Sequence, residues 1–365
     1  MDKLQEARNI INQTDEEMAR LFCKRMEAVK QVAEYKKEHG LEVFDPVRES
    51  AVIARNSEAI EDSTFQEYYV NFIRNTMAIS RSYQRRLLTG MRVAYSGTKG
   101  AFAYLAAKKL FPTAQLIPFM SFEDAYKAVE DGGCDSVVLP IENSSNGEVG
   151  QVTDLLFSGS LSVNAALELG VTHDLLGTQD ATIDDITEVV SHPQALGQCA
   201  PYIKSHGFIT RDYVNTALAA EYVAEKNCKN LAAIASADAA EMFGLKVLER
   251  DINQTKTNTT RFVVCSRKRN TDITSEKGTR SILIFTVRNE AGALAKAIEV
   301  IGSHGFNMLT LRSRPMKELL WKYYFYIETE GSMYTQKGRE MLSELSELCD
   351  KMKIVGTYKH NQEVQ

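Results

Sequence analysis

VVLPIENSSNG, residues 137–147, reads as an apolar strand running straight into a polar turn. Val137, Val138, Leu139 and Ile141 are what a buried strand needs, and Asn-Ser-Ser-Asn-Gly is turn composition. In open α/β sheets ligands gather where strands end, so Glu142, Asn143 and Ser144 become candidates. The flanking text repeats the theme. The strands RVAYSG (92–97), EVVSH (188–192), LAAIAS (231–236) and TRFVVCS (260–266) alternate with helical stretches. Those stretches include AFAYLAAKKLF (101–111), SFEDAYKAVEDG (121–132), PQALGQCAPYIKSHG (193–207) and NTALAAEYVAEK (215–226). The alternation predicts an α/β domain over 91–270 with a largely parallel sheet.

Two further strand ends in this domain carry polar clusters. VVSHPQALGQC puts Ser191, His192 and Gln194 after one strand, and NTTRFVVCS begins another with Thr260, Arg261 and Phe262. Each has an ordinary explanation: His192 before a proline as a helix cap, Arg261 as an ion-pair partner. Three such clusters in one α/β domain point to one crevice. Gly97 and Gly100 precede a helix and could present backbone amides to an anion, but the Lys-Ser/Thr ending of a P-loop is missing.

Beyond this domain the text changes in both directions. TDITSEKGT (271–279) is polar and breaks the pattern, which marks a linker. After it, RSILIFTV, GALAKAIEVIGSHG, NMLTLRS, WKYYFYIETE, KGREMLSELSELCDK and KIVGTY give the order βαββαβ, a ferredoxin-like α+β domain over 279–360. Before the α/β domain, residues 1–88 hold no glycine ahead of Gly40 and no proline ahead of Pro46, and predict three helices at about 3–39, 46–60 and 65–88. Leu4, Ile11, Met18, Arg25 and Val32 recur every seven residues, as do Ala7, Thr14, Leu21, Ala28 and Tyr35. A seam of that length asks for a partner helix, and a dimer supplies one.

Arg25 interrupts the apolar seam and shares a stripe with Lys36 at helical spacing. Two cations on one inward face suit an anion with two separated charges, although a snorkelling arginine is the plainer explanation. Arg8 lies roughly 100° around the helix from Arg25, so it does not easily join them in the same chain, and a second subunit could bring it. Asp45 before Pro46 reads as an N-cap with proline in the first turn. Arg48 and Glu49 follow it, and Ser80 and Gln84 sit one turn apart in MAISRSYQRRLL.

In composition, 365 residues at about 150 per domain suggest two or three domains. Lys+Arg 43 against Asp+Glu 48 gives −5, without the basic excess of a nucleic-acid binder. Six cysteines stand singly, without zinc or disulfide spacing, and MDKLQEARNI is charged rather than signal-like. No apolar run approaches the roughly 18 residues of a membrane span. The expectation is a cytoplasmic enzyme with reduced thiols.

These motifs resemble three known families in succession. Residues 1–88 are similar to the all-helical chorismate mutase, an intertwined dimer. The resemblance implies that Arg8 of the partner and Arg25 hold carboxylates, and that Lys36 and Gln84 face the breaking ether oxygen. Glu49 with Asp45 takes the ring hydroxyl, and Arg48 and Ser80 complete the wall. Residues 91–270 resemble prephenate dehydratase on Pro-Ile-Glu-Asn-Ser, Ser-His-Pro-Gln-Ala-Leu and Thr-Arg-Phe, which implies two α/β lobes with a cleft. Thr260 is then placed against the leaving hydroxyl and Arg261 anchors a carboxylate. Glu142, Asn143, Ser144, His192 and Gln194 line the cleft, while Ala103 stands where many members carry a hydroxyl. The C-terminal part resembles the amino-acid-sensing ACT domain on Gly292-Ala293-Leu294 and Arg312-Ser313-Arg314-Pro315. That implies phenylalanine binding between paired domains near Asn289, Gly292, Ala293, Leu294, Asn307, Ser313, Arg314 and Pro315. Where the family usually reads Glu-Ser-Arg-Pro, Arg312 reverses a charge.

The implied enzyme takes chorismate through prephenate to phenylpyruvate, with no metal or organic cofactor. Its partners are the two substrates, phenylalanine and further copies of itself, with no nucleic acid and no membrane. The alternatives are a metabolite-responsive regulator and a sensing dimer with one dead active site.

Overall fold

The computed structural model describes residues 2–255, 257–273, 278–316 and 323–359, in two compact units. The first comprises residues 1–92 with 131–135, and its framework is α1 (Lys3–His39), α2 (Pro46–Glu58) and α3 (Ser63–Thr89). Asp2, Asp45 and Asp62 cap the three helices by accepting backbone N–H groups, and Gly40 ends α1 in the left-handed region that glycine tolerates. α1 packs along α3. Yet Ala33 is its one buried residue, and Leu4, Ile11, Met18, Leu21, Val32 and Tyr35 stay exposed. The heptad stripe is thus uncovered within one chain.

The second unit holds two lobes and a C-terminal subdomain. The first lobe starts with β1 (Arg92–Ser96), α4 (Phe102–Leu110), β2 (Gln115–Phe119), α5 (Phe122–Glu130), β3 (Ser136–Asn143), β4 (Gly147–Glu148), α6 (Gly150–Ser158) and β5 (Ser162–Gly170). The second contains β6 (Asp174–Gly177), β7 (Glu188–Ser191), α7 (Pro193–Gln198), α8 (Ala200–His206), β8 (Ile209–Asp212), α9 (Thr216–Lys226), β9 (Leu231–Ala235), α10 (Ala237–Phe243) and β10 (Lys246–Glu249). β11 (Thr259–Ser266) then returns to the first lobe.

Both sheets are mixed, which corrects the expectation of a largely parallel one. β1 and β3 are parallel, but β11 is antiparallel to both β3 and β5. The cause is connectivity: the chain leaves the first lobe along β5 and comes back along β11, so neighbouring strands must run in opposite directions. In the second lobe β7 is parallel to β8 and β9, whereas β6 is antiparallel to β9 and β10. The inner strands β6, β7 and β9 are buried on both faces. Leu175, Val189, Ala232 and Ile234 pack in one core, and Leu176, Val190, Ala233 and Ala235 in the other, as the two-residue period requires.

The C-terminal subdomain runs β12 (Thr279–Val287), α11 (Ala293–Ser303), β13 (Met308–Pro315), β14 (Tyr323–Glu330), α12 (Gln336–Leu348) and β15 (Cys349–Lys359). Its strands order as β13-β14-β12-β15, with Leu283, Phe285, Ile301, Ile327, Met341 and Leu345 in a core under the helices. The helix expected to reach Lys351 stops at Leu348, because Cys349 already pairs with Val287 in the β12–β15 ladder. β15 also meets β5 at Gly356↔Val163, so this sheet continues into that of the first lobe. A Cβ on Gly356 would stand 2.0 Å from the Val163 carbonyl oxygen, hence the glycine. Residues 274–277 of the expected linker, Trp321 and Lys322 of the expected strand and the final residue of the 279–360 span lie outside the described residues. No described helix is long and apolar enough to cross a membrane.

Candidate active sites

In the helical unit the interior of an apolar bundle holds polar groups. Ser80 and Gln84 are buried on α3, and Arg25 of α1 donates to Ser80 Oγ and, at 3.5 Å, to the Thr76 carbonyl. Desolvation by burial lowers the Arg25 pKa from the usual guanidinium value. Gln84 Oε1 is buried with no hydrogen-bond partner. Lys36 Nζ donates to the carbonyls of Glu42 and Val43 at 2.8 and 2.7 Å. An ammonium has three hydrogens, so one remains for a ligand. Glu49 pairs with Arg81, which also lies over the Phe44 ring at 5.3 Å.

Asp45 does what its N-cap position requires, accepting from Arg48 N at 2.9 Å, and the Arg48 side chain is exposed. Arg8 is exposed too, and seventeen residues along α1 from Arg25, about 25 Å at 1.5 Å per residue. One chain cannot bring these two arginines to one small molecule.

Between the two lobes lies a buried polar chain. Asn143, last residue of β3, gives its Nδ2 hydrogens to Thr260 Oγ1 at 2.9 Å and Asn258 Oδ1 at 2.8 Å. Its Oδ1 accepts from the backbone amides of Ser145 and Asn146, both at 3.0 Å, which fixes the amide orientation. Asn258 Nδ2 continues to Gln198 Oε1 at 3.1 Å, and the same oxygen meets His173 Nε2 at 2.8 Å. Burial holds the His173 pKa below 6.5, against opposing pulls from Gln198 and Asp174. Gln198 Nε2 and His173 Nδ1 are buried without a partner. Phe102 sets its ring edge-on to His173, and Thr98 accepts from Asn215 at 3.4 Å, so the lobes also meet at the glycine loop. There Gly100 has φ +88° and a Cβ would sit 3.3 Å from that of Ala217. Close approach accounts for this glycine without an anion.

The other expected cleft residues separate. Ser144 clips the strand entry, accepting from Thr259 N at 2.9 Å and donating to the Thr257 carbonyl at 3.1 Å. His192 is the N-cap of α7, its Nδ1 accepting from Gln194 N at 3.2 Å, and Gln194 is exposed. Ala103 is buried in α4 and Phe262 is buried in β11. Arg261 follows Thr260 on the strand, so it leaves the opposite face. There its Nη1 meets Glu328 Oε2 at 2.6 Å, while Nη2 and Nε meet Glu168 Oε1, both at 3.2 Å. Glu142 shares that face and is paired with Arg312. Sequence reasoning missed His173, Gln198, Asn258 and Arg81; burial of polar types was the one signal, and it is not visible along a chain.

In the C-terminal subdomain a cavity of about 430 Å³ is lined by Asn289, Leu294, Met316, Tyr323, Phe325 and Lys351 among others. Gly292, at φ +83°, caps α11, which Ala293 opens. Asn307 bonds Glu330 at 3.1 Å at the other end of β13, and Ser313 is exposed. Pro315 lines a second cavity beside Asp154 and Tyr324. Arg312 and Arg314 turn to the first lobe, Arg314 gripping Asp154 Oδ1 and Oδ2 at 3.0 and 3.2 Å. Among the described residues no group of His, Cys, Asp and Glu is placed to hold a metal ion.

Comparison with known proteins agrees with this division. Family models match as chorismate mutase type II over residues 7–85 and prephenate dehydratase over 93–270. A bifunctional chorismate mutase/prephenate dehydratase of Aquifex aeolicus is 30% identical over 98% of this chain and 98% of its own. The chain belongs to the bifunctional chorismate mutase/prephenate dehydratase family. It is an enzyme of aromatic amino-acid biosynthesis, an isomerase and a lyase in one polypeptide. Outside bifunctional members, arogenate dehydratase 2 of Petunia hybrida is 33% identical over 73% of this chain and 71% of its own. The solved prephenate dehydratase of Staphylococcus aureus superposes with a TM-score of 0.65 at 27% identity, covering 74% of this chain and 100% of that one.

Proposed function

We propose that residues 1–88 rearrange chorismate to prephenate, that residues 91–270 convert prephenate to phenylpyruvate, and that residues 279–360 form an ACT domain that senses phenylalanine. The observation carrying the dehydratase half is the Asn143 amide. Because it donates to Thr260 Oγ1, the threonine oxygen is used as an acceptor and its own hydrogen stays free. That hydrogen is offered to the leaving C4 hydroxyl of prephenate. Loss of the ring carboxylate as CO₂ and of the hydroxyl, which takes up one proton from solvent to leave as water, makes the ring aromatic, so a hydrogen-bond donor at that oxygen suffices from the protein. Gln198 and His173, each with an unpartnered buried nitrogen, extend the polar wall.

In the mutase half no nucleophile is needed. The rearrangement asks for a dianion held in a compact chair and for donors at the ether oxygen. Arg25, with Arg8 from a second copy, takes the carboxylates. The spare hydrogen of Lys36 and the Gln84 amide take the ether oxygen, and Glu49, held by Arg81, takes the ring hydroxyl with help from Asp45. Arg48 and Ser80 complete the polar wall. The exposed heptad stripe supports assembly into a homodimer or higher oligomer. The cavity beside Asn289 and Leu294 supports the sensor reading, and a cytoplasmic location belongs to the same proposal.

Assaying both reactions on one preparation tests the reading. Thr260→Val should lower dehydratase kcat by about 10²-fold with KM nearly unchanged. Asn143→Asp should act alike, since a carboxylate accepts the threonine hydrogen that the substrate needs. Chorismate turnover should persist in both variants. Full dehydratase activity in Thr260→Val would remove this hydroxyl from the chemistry.

A further inference from the structure

On the reading of Thr260 and Asn143 as the dehydratase pair, the face of β11 and β3 turned away from the cleft also bears on the chemistry. In register, Thr260 stands opposite Asn143 and Arg261 opposite Glu142. Side chains alternate along a strand, so one face carries the hydrogen-bonded pair and the other carries Arg261 and Glu142. Each member of the catalytic pair is therefore the covalent neighbour of a charged residue on the far face.

Both charged residues are gripped by the C-terminal sheet, with reciprocal sign. Arg261 of the lobe meets Glu328 of β14, and Glu142 of the lobe meets Arg312 of β13. Glu328 is 1% exposed, accepts from Tyr358 Oη and lies 3.6 Å from Arg280. Arg312 also lies over the Tyr326 ring at 5.8 Å. With Glu168, the patch holds three guanidinium groups and three carboxylates. A buried ion pair tolerates little displacement, because separating it leaves a desolvated charge. A shift of the C-terminal sheet is thus passed to the backbone of residues 142–143 and 260–261.

We propose that Arg261 and Glu142 are positioning residues, anchored by Glu328 and Arg312, which set the Thr260–Asn143 hydrogen bond from behind rather than contacting substrate. Arg312 is where this chain departs from the Glu-Ser-Arg-Pro pattern of the resemblance. A glutamate there, as the ACT resemblance leads one to expect, would set two carboxylates face to face across this contact.

The test is steady-state dehydratase kinetics of the full-length chain on prephenate. Glu328→Gln should lower kcat about fivefold or more and leave KM within about twofold. A fall in KM instead would mean that Glu328 competes with substrate for Arg261, and would overturn the proposal. Arg312→Glu should lower kcat similarly by opposing Glu142, and the reversed pair Glu142→Arg/Arg312→Glu should recover most of it. That recovery supports the proposal even if the single variant folds poorly. A reversed pair that folds but stays inactive would show that Glu142 itself acts on substrate, and would also overturn it. Wild-type kcat in Thr260→Val would instead sink the underlying site reading, whatever the interface variants do.

Discussion

On the proposed mutase reading Gln84 offers the site a neutral amide, so nothing at this position titrates in the working range. Gln84→Glu should change that. A carboxyl in this buried place has its pKa raised by desolvation and donates a hydrogen only while protonated. Mutase kcat should therefore fall about 10²-fold near neutrality and recover below about pH 6, read from a pH–rate profile. A flat profile would show that Gln84 does not face the ether oxygen. Gln84 stood out in the sequence through the resemblance to the chorismate mutase pattern, since its one-turn spacing from Ser80 is a weak signal alone. Arg81 did not, since its partner Glu49 is 32 residues distant on another helix. The dehydratase cleft shows the same limit: Asn143 sits in a recognisable motif, but Gln198 joins it only through Asn258, 60 residues further on. Local periodicity places a residue on a face, and it does not say which distant polar group shares the burial.

Alternation along β11 decides more than the motif it carries. Thr-Arg-Phe is contiguous and invites one role for Thr260 and Arg261, yet a strand sends neighbours to opposite faces. The individual elements of the C-terminal part were legible from their periodicity. Their merger with the first lobe was not, because β15 meets β5 through a single register pair that leaves no pattern. Gly356 is the residue that permits it, so Gly356→Ala tests the junction. The added methyl would be driven into the Val163 carbonyl, and the main chain, unlike a side chain, has no rotamer to yield. The expected cost is about 1–3 kcal/mol in denaturant unfolding of the second unit, with the helical unit unaffected. An unchanged midpoint would mean that the two sheets separate there without loss.

At the scale of the whole molecule, the buried imidazole between the lobes links stability to pH. Burial lowers the His173 pKa in the native state from its ordinary 6.5. Below that ordinary value the unfolded chain takes up a proton that the folded one resists. The contribution is therefore complete above about pH 6.5 and is lost as pH falls through the native value. Urea midpoints measured between about pH 5 and 8 should fall on the acid side, and His173→Gln should flatten that flank. If the acid flank is the same in the variant, His173 is not its source. The helical unit carries the last consequence of scale. Arg8 and Arg25 are about 25 Å apart along one rigid helix, too far to grip one small dianion. On the proposed mutase reading each site combines Arg25 of one copy with Arg8 of another, so Arg8→Ala and Arg25→Ala should each abolish mutase turnover. When the two inactive proteins are mixed and allowed to exchange, half the dimers become hybrids. In a hybrid one site loses both arginines and the other keeps both. The mixture should regain about a quarter of wild-type mutase activity, since half the dimers carry one intact site of two. Hybrids verified by mass spectrometry that remain inactive would place both arginines in the service of one chain's own site, against the helix geometry.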